Sequence, residues 1–201
     1  MKYIQKVVRQ VEKVYSDLDR EALYFTSQSG LQCQGGCSSC CHYKNIRASV
    51  LEMIPLAWFL HLSNLQDEVF EKLDQSHAVC VSLRVLDTGE GAGGCLYYEQ
   101  RPLICRLFGN AGIRIRDGQT AIYTCNIMKT TDPVLFQQVM KRLQHGFRIP
   151  MAEDFQTRLY VIDFAMASEI HPVNLSLRIA MEKISFYFRG MPHPGHIRKA
   201  V

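Results

Sequence analysis

Eight cysteines are the residues of this 201-residue chain whose type and spacing could do chemistry. Four stand in one stretch, Cys33-Gln-Gly-Gly-Cys37-Ser-Ser-Cys40-Cys41, and Cys80, Cys95, Cys105 and Cys125 follow it. None precedes Cys33 or follows Cys125. Cysteines used only as small core residues would be scattered. Cysteines bunched at short spacings with glycine between them are ligands or disulfide partners, because the thiolate binds metal and short loops let several thiolates converge. Adjacent Cys40 and Cys41 are expected to point their side chains apart, so that they serve two sites or one of them is structural. Eight thiolates could fill two tetrahedral zinc sites or two four-iron clusters, and one occupied site with spare cysteines is also open.

Two arginines, Arg101 and Arg106, flank Cys105 in the run Arg-Pro-Leu-Ile-Cys-Arg. Cationic neighbours lower a thiol's pKa and offset the charge of a thiolate-ligated centre, so both are expected beside the cofactor. His42 follows Cys41 directly. It could ligate metal or hydrogen-bond a sulfur, and we read it as a solvated loop histidine.

The run from Cys33 to Cys41, followed by Cys95-Leu-Tyr-Tyr-Glu-Gln-Arg101-Pro102-Leu-Ile-Cys105-Arg106, resembles the cysteine-cluster (YkgJ-like) family. The resemblance covers roughly residues 30–126, with Cys80 and Cys125 at its remaining cysteine positions. It implies a zinc- or iron-chelating domain. That family's pattern is often written with two residues between the first pair of cysteines. Here there are three, which sets Cys33 apart from Cys37, Cys40 and Cys41. The family includes flagellin lysine-N-methylase, similar to this chain only through the cysteine domain, and so implies metal more firmly than it implies a reaction.

Two other motifs compete. Cys33-x3-Cys37-x2-Cys40 has the spacing of the radical S-adenosylmethionine signature, but Ser39 stands where that signature has an aromatic residue. The alternating strands and helices of a barrel are also missing. Val85-Leu-Asp-Thr-Gly-Glu-Gly-Ala-Gly93 resembles the glycine-rich motif of Rossmann-type methyltransferases. Pro102 and two cysteines follow where a regular helix should run, so the segment reads as a turn bringing Cys80 and Cys95 together.

The elements that must position these groups are mainly helical. Apolar residues recur at helical spacing over 3–25, with Ile4, Val7, Val8, Val11, Val14, Tyr15 and Leu18 on one face. Ser49-Val-Leu-Glu52 is a capping box opening a helix to about Leu62, with Pro55 a place for a kink. Residues 65–76 give another helix and 79–86 a short strand. Residues 113–116 and 120–124 flank the hairpin signal Asp117-Gly118. Further helices are expected over 132–146, opened by Asp132-Pro133, over 153–169, and over 173–189 with Asn174 as its cap. The tail from Met191 holds His193 and His196. The fold class is therefore mainly α with a small β-hairpin, a cysteine-rich metal-binding centre being flanked by N- and C-terminal helices. One domain spans 1–201, with its cysteine-cluster region at 30–126 and its C-terminal helical part at 132–190.

Composition bounds the function classes. Hydrophobic residues make up 47% of the chain, ordinary for a protein that builds its own core without disulfides. A formal charge of +4 does not argue for nucleic acid. The N-terminus has no apolar signal-peptide core, and no run approaches a membrane span. A soluble, cytoplasmic protein is expected, in a reducing compartment where clustered cysteines favour metal over disulfides. The first reading is a metalloprotein with a cysteine-ligated site, an iron–sulfur cluster (4Fe-4S) ahead of zinc, in a redox or cofactor-handling role. Its partners are the metal ion or cluster and a protein substrate or redox partner. The alternatives are an S-adenosylmethionine-dependent protein lysine methyltransferase and a zinc-stabilised interaction module.

Overall fold

The computed structural model describes residues 2–33, 36–43, 45–75, 79–85, 93–116 and 118–189. The elements run α1 (Lys2–Ser29), β1 (Arg47–Ser49), α2 (Val50–Leu62), α3 (Gln66–Gln75), β2 (Leu83–Val85), β3 (Gly93–Cys95) and α4 (Leu103–Leu107). They continue with β4 (Gly112–Arg114), β5 (Thr120–Ile122), α5 (Asn126–Thr131), α6 (Pro133–Gln144), α7 (Ala152–Ile162), α8 (Phe164–Ser168), β6 (Ile170–Pro172) and α9 (Val173–Phe188). The mainly helical class holds. Among the described residues the β-structure is more than one hairpin: three separate two-stranded antiparallel sheets pair β1 with β6, β2 with β3 and β4 with β5.

The centre of the fold is α2. Leu51, Ile54, Ala57 and Leu60 are wholly buried, and Met53 and Leu56 nearly so. A helix apolar on almost every side must be enclosed by its neighbours. It packs against α9, α1 and α8. The capping box is present: the Glu52 backbone N–H donates to Ser49 Oγ at 3.3 Å, and the Ser49 N–H donates to Glu52 Oε1 at 2.9 Å. The helix runs unbroken through Pro55. On α1 the expected face is buried, and the helix continues past residue 25 to Ser29. Gly30, with φ at +73°, ends it, its N–H reaching the Thr26 carbonyl at 2.9 Å.

Three local readings need correction. The expected helix over 153–169 is two helices, because Asp163 leaves helical geometry and caps α8, accepting from the Met166 N–H at 2.9 Å. Asn174 is not the cap of α9. That position is Pro172, and Asn174 lies inside the first turn with its side chain turned to another segment. The strand expected over 79–86 is shorter, Leu83–Val85, and Cys80 lies on the turn before it. Asp117, the glycine-rich residues 86–92, Gly190 and the tail with His193 and His196 lie outside the described residues.

A second, smaller apolar cluster joins Phe25, Leu31, Ile122, Met128, Phe136, Val139 and Leu143. It lies under the hairpin β4–β5 and α6. Cys125 packs against this second cluster. Among the described residues no helix is long and apolar enough to cross a membrane.

Candidate metal centre

Most of the cysteines rest on or beside a short element. Cys40 and Cys41 occupy a single 3-10 turn, Ser39–His42, closed by the Cys41 N–H on the Ser38 carbonyl at 2.8 Å. Cys95 ends β3, paired with Leu83 across the β2–β3 ladder. Gly93 on β3 meets the turn so closely that an added Cβ would lie 2.4 Å from the Arg84 carbonyl oxygen and 3.0 Å from Ser38 Oγ. Only glycine allows β3 to lie that close to the residue preceding the cysteine turn.

Cys80 is fixed by Asn174. The Asn174 Oδ1 accepts from the Val81 N–H at 2.9 Å and its Nδ2 donates to the Val79 carbonyl at 2.8 Å, gripping the backbone on both sides of the cysteine. Cys105 lies on α4. The Ile104 N–H, next to it, donates to Glu52 Oε2 at 2.8 Å. One Glu52 carboxylate thus caps α2 with one oxygen and anchors α4 with the other. Burial pushes its carboxyl pKa up despite these bonds. Cys125 precedes α5 as its N-cap residue.

The sulfurs fall into two neighbouring groups. Cys40, Cys41, Cys80 and Cys105 share one wall of a cavity of about 560 Å³. Cys95 does not line that cavity but lies near the group, its charge and that of Cys40 both acting on Cys80 and Cys105. Cys33 and Cys37 line a smaller cavity of about 310 Å³, and Cys125 lines both. Cys33 is the exposed cysteine; the other seven are half-buried.

Cys40 and Cys41, adjacent in a tight 3-10 turn, both line the larger cavity and are not divided between the two. The neighbouring Cys41 thiol, helped by the nearby Arg101 charge, pulls Cys40 down to about 6, and Cys40 in turn pushes Cys41 up. Burial pushes Cys80, Cys95 and Cys105 up. Burial also raises Cys33, with the neighbouring Cys37 adding to it. These thiols resist ionising alone, and a bound cation reverses that balance by binding the thiolate.

The two arginines divide the work. The Arg101 guanidinium lies close enough to favour thiolates at Cys40, Cys95 and Cys105. It rests 3.6 Å over the Tyr98 ring and donates to the Tyr98 carbonyl at 3.1 Å. Arg106 is 6% exposed and points the other way, into the frame. It donates to the Arg101 carbonyl at 2.9 Å, to the Glu99 carbonyl and to Asp19, and sits over the Tyr15 ring at 4.7 Å. Arg106 therefore positions the loop that carries Arg101. His42 is exposed, with Nε2 3.4 Å from Ser38 Oγ.

Among the described residues no three His, Cys, Asp or Glu side chains converge closely enough to hold a single metal ion. The donor set is nonetheless all sulfur, half-buried except for Cys33, and drawn from five places along residues 33–125. Soft thiolates in that number suit zinc or an iron–sulfur cluster and not magnesium or calcium. Sequence reasoning missed Asn174 and the second oxygen of Glu52, because neither contact has a local pattern. The capping box was the one available pointer to Glu52.

Residues 32–126 match the family model described as "CxxCxxCC: Putative zinc- or iron-chelating domain". The match spans all eight cysteines and supports a cysteine-cluster domain. Comparison with curated proteins and with solved structures gave no match.

Proposed function

We propose that the chain is a cysteine-ligated metalloprotein, that its centre is an iron–sulfur cluster, and that it serves a redox or cofactor-handling role. The observation that carries this reading is the meeting of Cys40, Cys41, Cys80, Cys105 and Cys125 around one cavity, with the Arg101 charge acting on Cys40 and Cys105. A structural zinc site needs four sulfurs at about 2.3 Å from one point, so they nearly touch. The sulfurs here surround a wider space. A cluster, with its own iron and sulfide between the thiolates, suits that spacing better. Cys33, Cys37 and Cys125 form a second group that could hold further metal.

Anaerobic purification followed by iron, zinc and acid-labile sulfide analysis tests the reading. Iron and sulfide in comparable amounts, with a brown colour, support it. A colourless protein with stoichiometric zinc supports a zinc-stabilised module in its place.

A further inference from the structure

The larger cavity extends well beyond the sulfurs. Its other walls come from β1, the end of α4, the residues after β5 and the start of α9, and they supply Arg47, Ile104, Phe108, Tyr123, Asn126 and Val173. A centre held by thiolates sits against the sulfurs that bind it, so these walls enclose space the metal does not use. The whole cavity, its sulfur-lined end included, measures about 560 Å³, against roughly 300–1,000 Å³ for small-molecule sites.

The chemistry of the lining narrows the occupant. Ile104 and Val173 are aliphatic, and Phe108 and Tyr123 form an edge-to-face pair with ring centroids 4.9 Å apart. Such walls favour a flat, largely apolar body over an inorganic ion. No carboxylate lines the cavity among the described residues, and Arg47 is its charged side chain. Arg47 stands exposed at the rim and spends one N–H on the Ile170 carbonyl at 2.7 Å. No ion pair among the described residues involves it, so the rest of its planar fork is open to an anion. Asn126, also exposed, adds an amide at the same rim.

We propose that this chamber binds an organic anion with an aromatic or otherwise flat apolar body, its charged group at Arg47 and its body against Phe108, Tyr123, Ile104 and Val173. The inference rests on the metal reading only for what occupies the sulfur-lined end. It makes the centre one that works on, or beside, a bound small molecule.

The probe is anilinonaphthalene sulfonate, an aromatic anion whose emission rises and shifts to the blue in an apolar site, set against its uncharged parent phenylnaphthylamine. Both are titrated into the anaerobically purified full chain, with metal content measured on the same samples. We expect saturable binding of the sulfonate near one per chain. Val173→Trp, which adds bulk to the chamber and replaces no cysteine, should abolish binding of both dyes while leaving metal content unchanged. Arg47→Gln should weaken the sulfonate severalfold and leave the neutral dye as it was. Absence of saturable binding, or equal binding to Val173→Trp with unchanged far-ultraviolet circular dichroism, overturns the chamber. An Arg47→Gln protein that loses neither dye, or both alike, overturns the assignment of an anion. Full metal without dye binding defeats this inference and leaves the metal reading standing; dye binding without metal does the reverse.

Discussion

In α2, Leu51, Ile54, Ala57 and Leu60 are sealed from water, whereas none of the eight cysteines is fully buried and Cys33 is exposed. The helical frame of α1, α2, α7 and α9 is made of elements of 11 to 28 residues with continuous apolar faces. The cysteine-bearing region is made of strands of three residues and helices of five or six. Short elements cannot support themselves by hydrogen bonding or by burial. They are held by reach-across contacts to the frame: Glu52 of α2 to Ile104, Asn174 of α9 to Val79 and Val81, and Asp19 of α1 to Arg106. The frame is thus stabilised by packing, and the centre by tethers and by whatever the thiolates bind.

The largest break in this comparison comes from the frame. Ile54→Ala should cost about 2–5 kcal/mol, because it opens a cavity in a wholly buried site. Chemical denaturation should show that loss alike in metal-free and metal-loaded protein. A much larger loss in the loaded form would mean that the two regions are not separable.

Arg106→Ala acts at the join. It leaves the Arg101 and Glu99 carbonyls without their buried donor and should cost about 1–3 kcal/mol. It should also weaken metal retention by freeing the loop that carries Arg101. Arg106→Lys should recover only part of both, since lysine lacks the planar fork. Wild-type metal content in Arg106→Ala would remove the link between loop and centre.

Asn174→Ala is a smaller break. Losing the two amide bonds around Cys80 should cost about 1 kcal/mol of stability. Its larger effect should be on metal retention, measured against a chelator, because the contacts grip the Cys80 backbone. Equal chelator resistance in the variant and the wild type would make Asn174 a frame residue only.

The frame was readable in the sequence because its signals are local. The apolar period of α1 and the Ser49–Glu52 capping box each lie within a few turns of one helix. The pairing of β1 with β6 was not readable, since it joins three residues near 48 to three near 171 with no alternation to mark them. The break at Asp163 was hidden because an aspartate inside an apolar period is ordinary on a helix surface. Here it caps α8 and accepts from the Tyr3 hydroxyl at 2.7 Å. At the centre, the residue types were legible and their grouping was not. That Cys40 and Cys41 line one cavity depends on a 3-10 turn, a geometry that adjacent cysteines do not announce.

The smallest effect concerns pH and belongs to the frame alone. Asp17 is 7% exposed and accepts from Lys13 at 2.6 Å, Arg158 at 2.6 Å and Arg20 at 2.8 Å, joining α1 to α7. Lys13 first, then Arg158, hold its carboxyl well below the usual carboxylate range. A depressed folded value means the contribution is present above the unfolded value of about 3.9 and is lost as pH falls through the folded one. Asp17→Asn should therefore lower the melting temperature at neutral pH, with the difference shrinking once the pH drops below about 4. A difference that stays constant into acid would contradict the ion-pair account.

Hydrogen exchange on metal-loaded and metal-free protein tests the central claim most directly. If thiolate ligation orders the centre, removing the metal should raise exchange across residues 36–43, 79–85 and 93–126 while α2 and α9 keep their protection. Equal protection of the cysteine segments in both forms, or loss of protection across the whole chain together, would contradict it.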